Sequence, residues 1–258
     1  MKAFEIMDAL FADADRTFDV TCDTCKAGDP NTEVHRIAVS MFATPNVIRR
    51  AAEWGADLLI VHEPTYYDHM DGHTDEKIQV EKRKLLTDSG LTVYRYHDHA
   101  HHTVPDTICE GEVDAMALDG AVSYGPRWDE VWITLRTPTT PRELARQIAE
   151  RTGMAHIRVC GCVDVPCTRV VGMFGTPPKV FETMQTDECE VMMTGEACEW
   201  RLGEYARDAA ELGHKKALLI LGHIGSERDG MKLLARRLSG RYPAIESRYF
   251  ECGEVYAD

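Results

Sequence analysis

"RIAVSMFATPNVIRRAAEWGADLLIVHEP", residues 36–64, decides the fold. Its opening, 36–43, has the apolar, β-branched character of a strand. Thr44 suits a helix N-cap, Pro45 the first helical position and Gly55 a C-terminal stop, so 44–55 reads as a helix. Residues 56–62 form a short, nearly continuous apolar run, the pattern of a buried strand. Downstream, "DEKIQVEKRKLLTDSG" (75–90) is a charged amphipathic helix closed by Gly90, and "LTVYRYH" (91–97) is a third strand. Strand, helix, strand, helix, strand in that order predicts a parallel sheet and an α/β class.

The second half repeats the alternation. Strands are expected at 129–136, 156–164, 169–175, 188–196 and 216–223, and helices at 140–153, 199–213 and 226–240. Thr140 and Pro141 open the first of these helices as Thr44 and Pro45 open theirs. The stretch 103–128 is rich in turn signals, including "TVPDTICEGEVD" and "SYGPRWD". It divides the chain into lobes 1–125 and 126–258. The N-terminal "MKAFEIMDALFADADRTF" carries acids inside its apolar pattern and reads as an amphipathic helix, not a signal peptide.

A chain of 258 residues can bury a sizeable core. Its net charge of −14 argues against a phosphate-tracking surface, so no nucleic-acid partner is expected. No apolar stretch is long enough for a membrane span, and a cytoplasmic protein is expected. Nine cysteines, an odd number scattered along the chain, do not make a disulfide framework. Cys22 and Cys25 form a CxxC, but no second pair stands at matching spacing for a zinc ribbon. The Cys160, Cys162 and Cys167 group reads as small buried thiols.

The chemistry gathers where strands end. Of eleven histidines, seven fall between residues 62 and 102. They are His62, His69, His73, His97, His99, His101 and His102. Imidazole is the commonest metal ligand near neutral pH, and a lone histidine needs no such reading; a cluster beside carboxylates does. In open α/β sheets ligands collect at the carboxyl ends of parallel strands, where His62, His97 and His223 are expected. Adjacent residues of a strand splay to opposite faces, so His62 and Glu63 would each serve a different ion. His97, His99 and His101 share one side if their strand runs that far. Ser226, with Asp229 three residues on, resembles a capping box. That places Glu227, four residues after His223, in a first helical turn, where it either complements the helix dipole or joins the site. Thr194–Gly195–Glu196 is either a turn with a cap or a wall of the same site.

Together "AGDPNTEVHRIAVSMFATPNVIRRAAEWGADLLIVHEP", "MTGE" and "GHIGSE" resemble, in order and spacing, the NIF-three-like family, whose members carry the name GTP cyclohydrolase I type 2. The resemblance implies an α/β fold of two similar lobes, each a mixed, largely parallel sheet flanked by helices. It also implies a dinuclear metal site faced by both lobes, and a ring-like homohexamer. The family has two histidines before the proline, where this chain has His62–Glu63–Pro64. The family has a histidine and then an aspartate four residues later, where this chain has His97 and His101. The glycine–histidine with a glutamate four residues on is intact as His223 and Glu227. The implied ligands are His62, Glu63, His101, His223 and Glu227, again three imidazoles and two carboxylates. His97, Asp98 and His99 stand close enough to His101 in sequence to be ligands or their supports.

The expected activity is metal-dependent hydrolysis of a small molecule, a nucleotide or other phosphoester, through water activated by two divalent ions. His97 or His99 would move protons. Mixed imidazole and carboxylate donors suit zinc, iron, manganese or nickel without choosing among them. The alternative is a non-catalytic metal-binding, regulatory or scaffold ring. A hydrolase needs an open coordination position, and a scaffold site does not.

Overall fold

Thr44 caps its helix as the sequence predicts: its Oγ1 accepts from Val47 N at 3.1 Å, and Gly55 ends the helix at φ 78°. Thr140 accepts from Glu143 N at 3.2 Å, and Gly153 closes that helix at φ 74°. Only glycine takes such a left-handed residue without steric cost. These residues belong to a computed structural model that describes residues 1–125 and 129–256.

The chain forms two compact units, one from residues 1–108 and 230 onward, the other from 109–229. The first holds α1 (Ala3–Phe11), α2 (Pro45–Trp54) and α3 (Lys77–Ser89), with strands β1 (Cys25–Ala27), β2 (Arg36–Ser40), β3 (Leu58–Val61) and β4 (Thr92–Arg95). α4 (Thr107–Met116) leads out of it. The second holds β5 (Gly120–Tyr124), β6 (Val131–Thr139), α5 (Pro141–Thr152), β7 (Arg158–Gly161) and β8 (Cys167–Met173). It continues through α6 (Val180–Met184), β9 (Val191–Thr194), α7 (Glu204–Glu211) and β10 (Ala217–Ile220). α8 (His223–Arg241) begins in the second unit and ends in the first, where β11 (Glu246–Tyr249) follows.

In the first unit the sheet order is β1-β4-β3-β2-β11, with every pair parallel except β1 with β4. All four residues of β3 are fully buried, as its unbroken apolar run requires. Leu59 and Val61 join a core with Ile48, Leu86, Val93 and Phe250. In the second unit the order is β5-β6-β8-β9-β10-β7. Only β8–β9 and β9–β10 are parallel, so this sheet is mixed. Neighbouring residues feed opposite faces: Val191, Met193 and Leu219 enter one core, Met192, Leu218 and Ile220 the other. Burying each such side chain contributes roughly 1.5–3 kcal/mol.

Four differences from the sequence reading have physical causes. The turn-rich 103–128 contains α4 and β5; Asp106 Oδ1 accepts from Ile108 N at 2.7 Å and starts α4 before Gly111 obscures its pattern. Residues 126–128 of the expected turn lie outside the described residues. The division into contiguous halves at 125/126 gives way to a discontinuous first unit, because β11 pairs in parallel with β2. Ser226 is not an N-cap: α8 already begins at His223, and the Ser226 hydroxyl donates to His223 O and accepts from Gly175 N, both at 3.0 Å. Finally, β4 stops at Arg95, and a 3-10 turn spans Ala100–His102. No described helix is long and apolar enough to cross a membrane.

Candidate metal centre

In the first unit, β3 and β4 end side by side. His62 N and Glu63 N both donate to Met41 O, at 3.1 and 2.9 Å, which ends β3 and leaves both residues buried at the strand tip. After β4 the chain coils, and His101 N donates to His97 O at 3.1 Å. That turn sets His97 and His101 on one side, which a continued strand would have done differently. The result is a group in which one ligand atom each of His62, His97 and His101 lies within 4.8 Å of the others. Ring centroids are 4.6 Å apart for His62 and His97, and 5.0 Å for His62 and His101.

Each of these rings is anchored through the same atom. His62 Nδ1 meets Tyr96 O at 3.0 Å, His97 Nδ1 meets Asp98 Oδ1 at 3.0 Å, and His101 Nδ1 meets Asp106 Oδ2 at 2.9 Å. An oxygen acceptor at Nδ1 fixes the tautomer with its lone pair on Nε2, the arrangement metal-binding imidazoles use. Burial holds His62 well below the usual imidazole range, and the neighbouring His97 and His101 push the same way. His62 is therefore neutral, as a ligand must be. Burial works against ionisation of Asp98, yet hydrogen bonds from His97 and Thr21 hold it well below the usual carboxylate range.

Glu63 is buried, and its Oε2 lies 3.6 Å from Nη2 of the fully buried Arg95. Arg95 also donates through Nε to His62 O at 2.9 Å and through Nη1 to His69 O. One guanidinium thus fixes the backbone at both ends of the 62–69 loop. His99 lies apart from the three-ring group: Asp23 Oδ2 meets its Nδ1 at 2.7 Å, and its ring packs against Phe11 and Phe18. His73 packs edge-on against Tyr66, and His102 lies 3.5 Å from Asp15. Beside this rim is a cavity of about 350 Å³ lined by Phe42, Pro64, Tyr67, His69 and Lys82.

The second unit carries its own donors at the start of α8. His223 Nε2 lies 3.2 Å from Glu227 Oε2. Two donors about 2.0–2.1 Å from a tetrahedral ion stand about 3.3 Å apart, so this separation fits a shared metal. His223 Nδ1 meets Glu196 Oε1 at 2.8 Å, which repeats the anchoring seen in the first unit. Through Glu196, the Thr194–Gly195–Glu196 turn reaches His223. Glu227 is 2% exposed and lies against Gly175, where an added Cβ would stand 2.2 Å from Glu227 Oε1. Gly175 has φ +66°, so its backbone favours glycine as well.

Of the residues singled out from sequence, His62, His97 and His101 converge in one unit, and His223 and Glu227 in the other. Asp98 supports His97. Sequence reasoning missed Arg95, Asp23 and Asp106. Arg95 sat inside an apparent core strand, and the two aspartates carry no local pattern that separates them from surface acids.

A family model described as Duf34/NIF3 (NGG1p interacting factor 3) matches residues 5–252. A Halobacterium salinarum protein called GTP cyclohydrolase 1 type 2 homolog is 23% identical over 221 residues, 84% of each chain. A Streptomyces coelicolor protein of the same name is 26% identical over 225 residues, 82% of this chain and 75% of its own. Among solved structures, a Bacillus cereus protein related to NIF3 superposes with TM-score 0.76 at 13% identity, covering 100% of this chain and 98% of its own.

Proposed function

This chain belongs to the Duf34/NIF3 family, and from that premise we propose a metal-dependent hydrolase acting on a small molecule of the nucleotide or phosphoester class. His62, Glu63 and His101 in the first unit and His223 and Glu227 in the second hold two divalent transition-metal ions per chain. The observation that carries this reading is the shared anchoring of His62, His97, His101 and His223 through Nδ1, each against an oxygen. His99 is anchored at Nδ1 in the same way, by Asp23, so it is the anchoring together with the convergence of His62, His97 and His101 that supports the reading. When bound, such ions polarise substrate oxygens and lower the pKa of water.

The chain's own residues supply the rest. His97 is the most exposed of the three grouped imidazoles, at 21% for its side chain. It takes and returns a proton at Nε2, while Asp98 holds the N–H at Nδ1. The cavity beside the rim is of the size that small-molecule sites have, with Phe42 and Tyr67 as apolar walls and Lys82 as a cation. The name GTP cyclohydrolase 1 type 2 homolog, borne by the relatives, supports a nucleotide among the first substrates to try. Assembly into a homo-oligomer, a hexamer on the family pattern, belongs to the same reading.

Elemental analysis of untagged protein, reconstituted with zinc, iron, manganese or nickel, should give at least two ions per chain. The loaded protein should turn over at least one nucleotide or generic phosphoester, and Glu227→Ala should abolish turnover while circular dichroism stays unchanged. Fewer than one ion per chain overturns the metal reading. Full occupancy with no turnover across the panel overturns the hydrolase and leaves a metal-binding protein.

A further inference from the structure

A second donor cluster lies in the first unit, and it differs in kind from the three-imidazole group. Cys22 Sγ, a ring nitrogen of His69 and a carboxylate oxygen of Asp98 all lie within 4.8 Å of one another. The three come from separate segments: the approach to β1, the loop after β3 and the turn after β4. We propose that Cys22, His69 and Asp98 form a distinct thiolate-containing metal site that takes a borderline, thiophilic divalent ion, zinc above all. Sulfur, nitrogen and oxygen donors in a set of three leave a fourth tetrahedral position for water, and mixed thiolate and imidazole ligation selects zinc over magnesium or manganese.

The donors are held in place before any ion arrives. Asp98 Oδ2 accepts from Thr21 Oγ1 at 2.7 Å and from Cys22 N at 3.2 Å. In return Asp23 accepts from His97 N at 2.6 Å and from His99 N at 2.8 Å. Segments 21–23 and 97–99 are thus laced together by reciprocal carboxylate bonds, so ordering costs for two of the three ligands are already met. Arg95 fixes the third from beneath, through His69 O. Donors around a tetrahedral ion stand roughly 3.3–3.7 Å apart, so closure from the present spacing needs only small side-chain rotations. His69 is exposed and can supply them, and it opens the site to solvent, whereas Cys22 is 1% exposed. On ligation the Cys22 thiol gives its proton to solvent, against the burial that pushes its pKa up. Asp98 also anchors His97, so an ion here shares a carboxylate with the support of the three-imidazole group.

Cobalt(II) reports the difference directly, because a cobalt–thiolate bond adds a near-ultraviolet charge-transfer band that imidazole and carboxylate ligands do not give. Anaerobic titration of the full-length protein with cobalt should produce that band. Cys22→Ser should remove it while the visible d–d absorption of imidazole-bound cobalt remains, and Cys25→Ser should leave it intact. Zinc-edge absorption spectra should likewise show one sulfur at about 2.3 Å in the wild type. His69→Ala changes an exposed side chain and tests the site even where Cys22→Ser folds poorly. It should weaken the cobalt–thiolate affinity by more than the roughly 10–100-fold that an outer partner contributes. No charge-transfer band in the wild type, a band that survives Cys22→Ser, or an affinity unmoved by His69→Ala overturns the proposal. None of these outcomes depends on catalysis, so failure here leaves the hydrolase reading standing.

Discussion

At the scale of single residues, Arg95 governs the first unit's donors. Its fully buried guanidinium faces two carbonyls and the carboxylates of Glu63 and Asp71, the latter 3.9 Å away and also paired with Lys26 at 3.0 Å. Removing one partner of a buried ion network strands the others, at a cost of about 3–5 kcal/mol. Arg95→Met should lower the stability measured by urea denaturation by that order and release the 62–69 loop to protease. Lys82 offers a pH test. Its Nζ donates to Thr65 O at 2.6 Å, and burial pushes its pKa down to about 8, with Asp71 opposing. The unfolded chain, with a lysine near 10.4, then binds more protons than the folded one between pH 8 and 10.4. Stability from this group is therefore lowest below pH 8 and rises through that window, by on the order of 1–3 kcal/mol. Lys82→Met should remove the alkaline rise from a denaturation series, while the series below pH 7 keeps its slope.

Elements decide how the second unit's ligands meet. The turn after β8 carries Gly175, and the turn after β9 carries Gly195 and Glu196. Both crowd the first turn of α8: a Cβ on Gly195 would stand 2.5 Å from Ser226 Oγ. Gly175→Ala should displace the Glu227 carboxylate, destabilise the protein by about 1–3 kcal/mol, and weaken metal binding in calorimetric titration. Glu196→Gln keeps the shape of the turn and removes the charge that holds His223 Nδ1. It should cost about 10–100-fold in metal affinity with no change in thermal stability of the metal-free protein. The sequence made the helices legible at this scale because Thr44–Pro45, Thr140–Pro141 and the closing glycines are local signals with local causes. Ser226 and Asp229 imitate a cap and so predict a start for α8 three residues late, whereas Ser226 bonds instead to a turn 51 residues away. The donors themselves were legible as a histidine cluster at strand ends. Which imidazoles converge was not, since the answer lies in the turn that replaces the end of β4.

For the whole molecule, anything that binds only the folded state adds stability by mass action. Zinc, manganese or nickel at a hundred times its dissociation constant should raise the unfolding free energy by about 2.7 kcal/mol per site, and chelator should reverse the shift in a thermal melt. The division into units also explains why contiguous halves were the wrong reading of the chain. Strand–helix alternation says which elements pair in order along the sequence, and it is blind to a strand that comes home after 200 residues. Nothing in "ESRYF" distinguishes such a strand from an ordinary tail.

That returning strand makes the order of synthesis matter. Residues 109–229 are complete as a unit while the ribosome still holds the last segment, but β2 keeps a bare flank until residues 246–249 emerge. Nascent chains therefore pass through an interval in which a row of unsatisfied amides and carbonyls invites any other strand. A stop codon at position 245 should leave a second unit with native exchange protection attached to a first unit that aggregates. Addition of a synthetic peptide spanning 243–256 during refolding should return soluble protein.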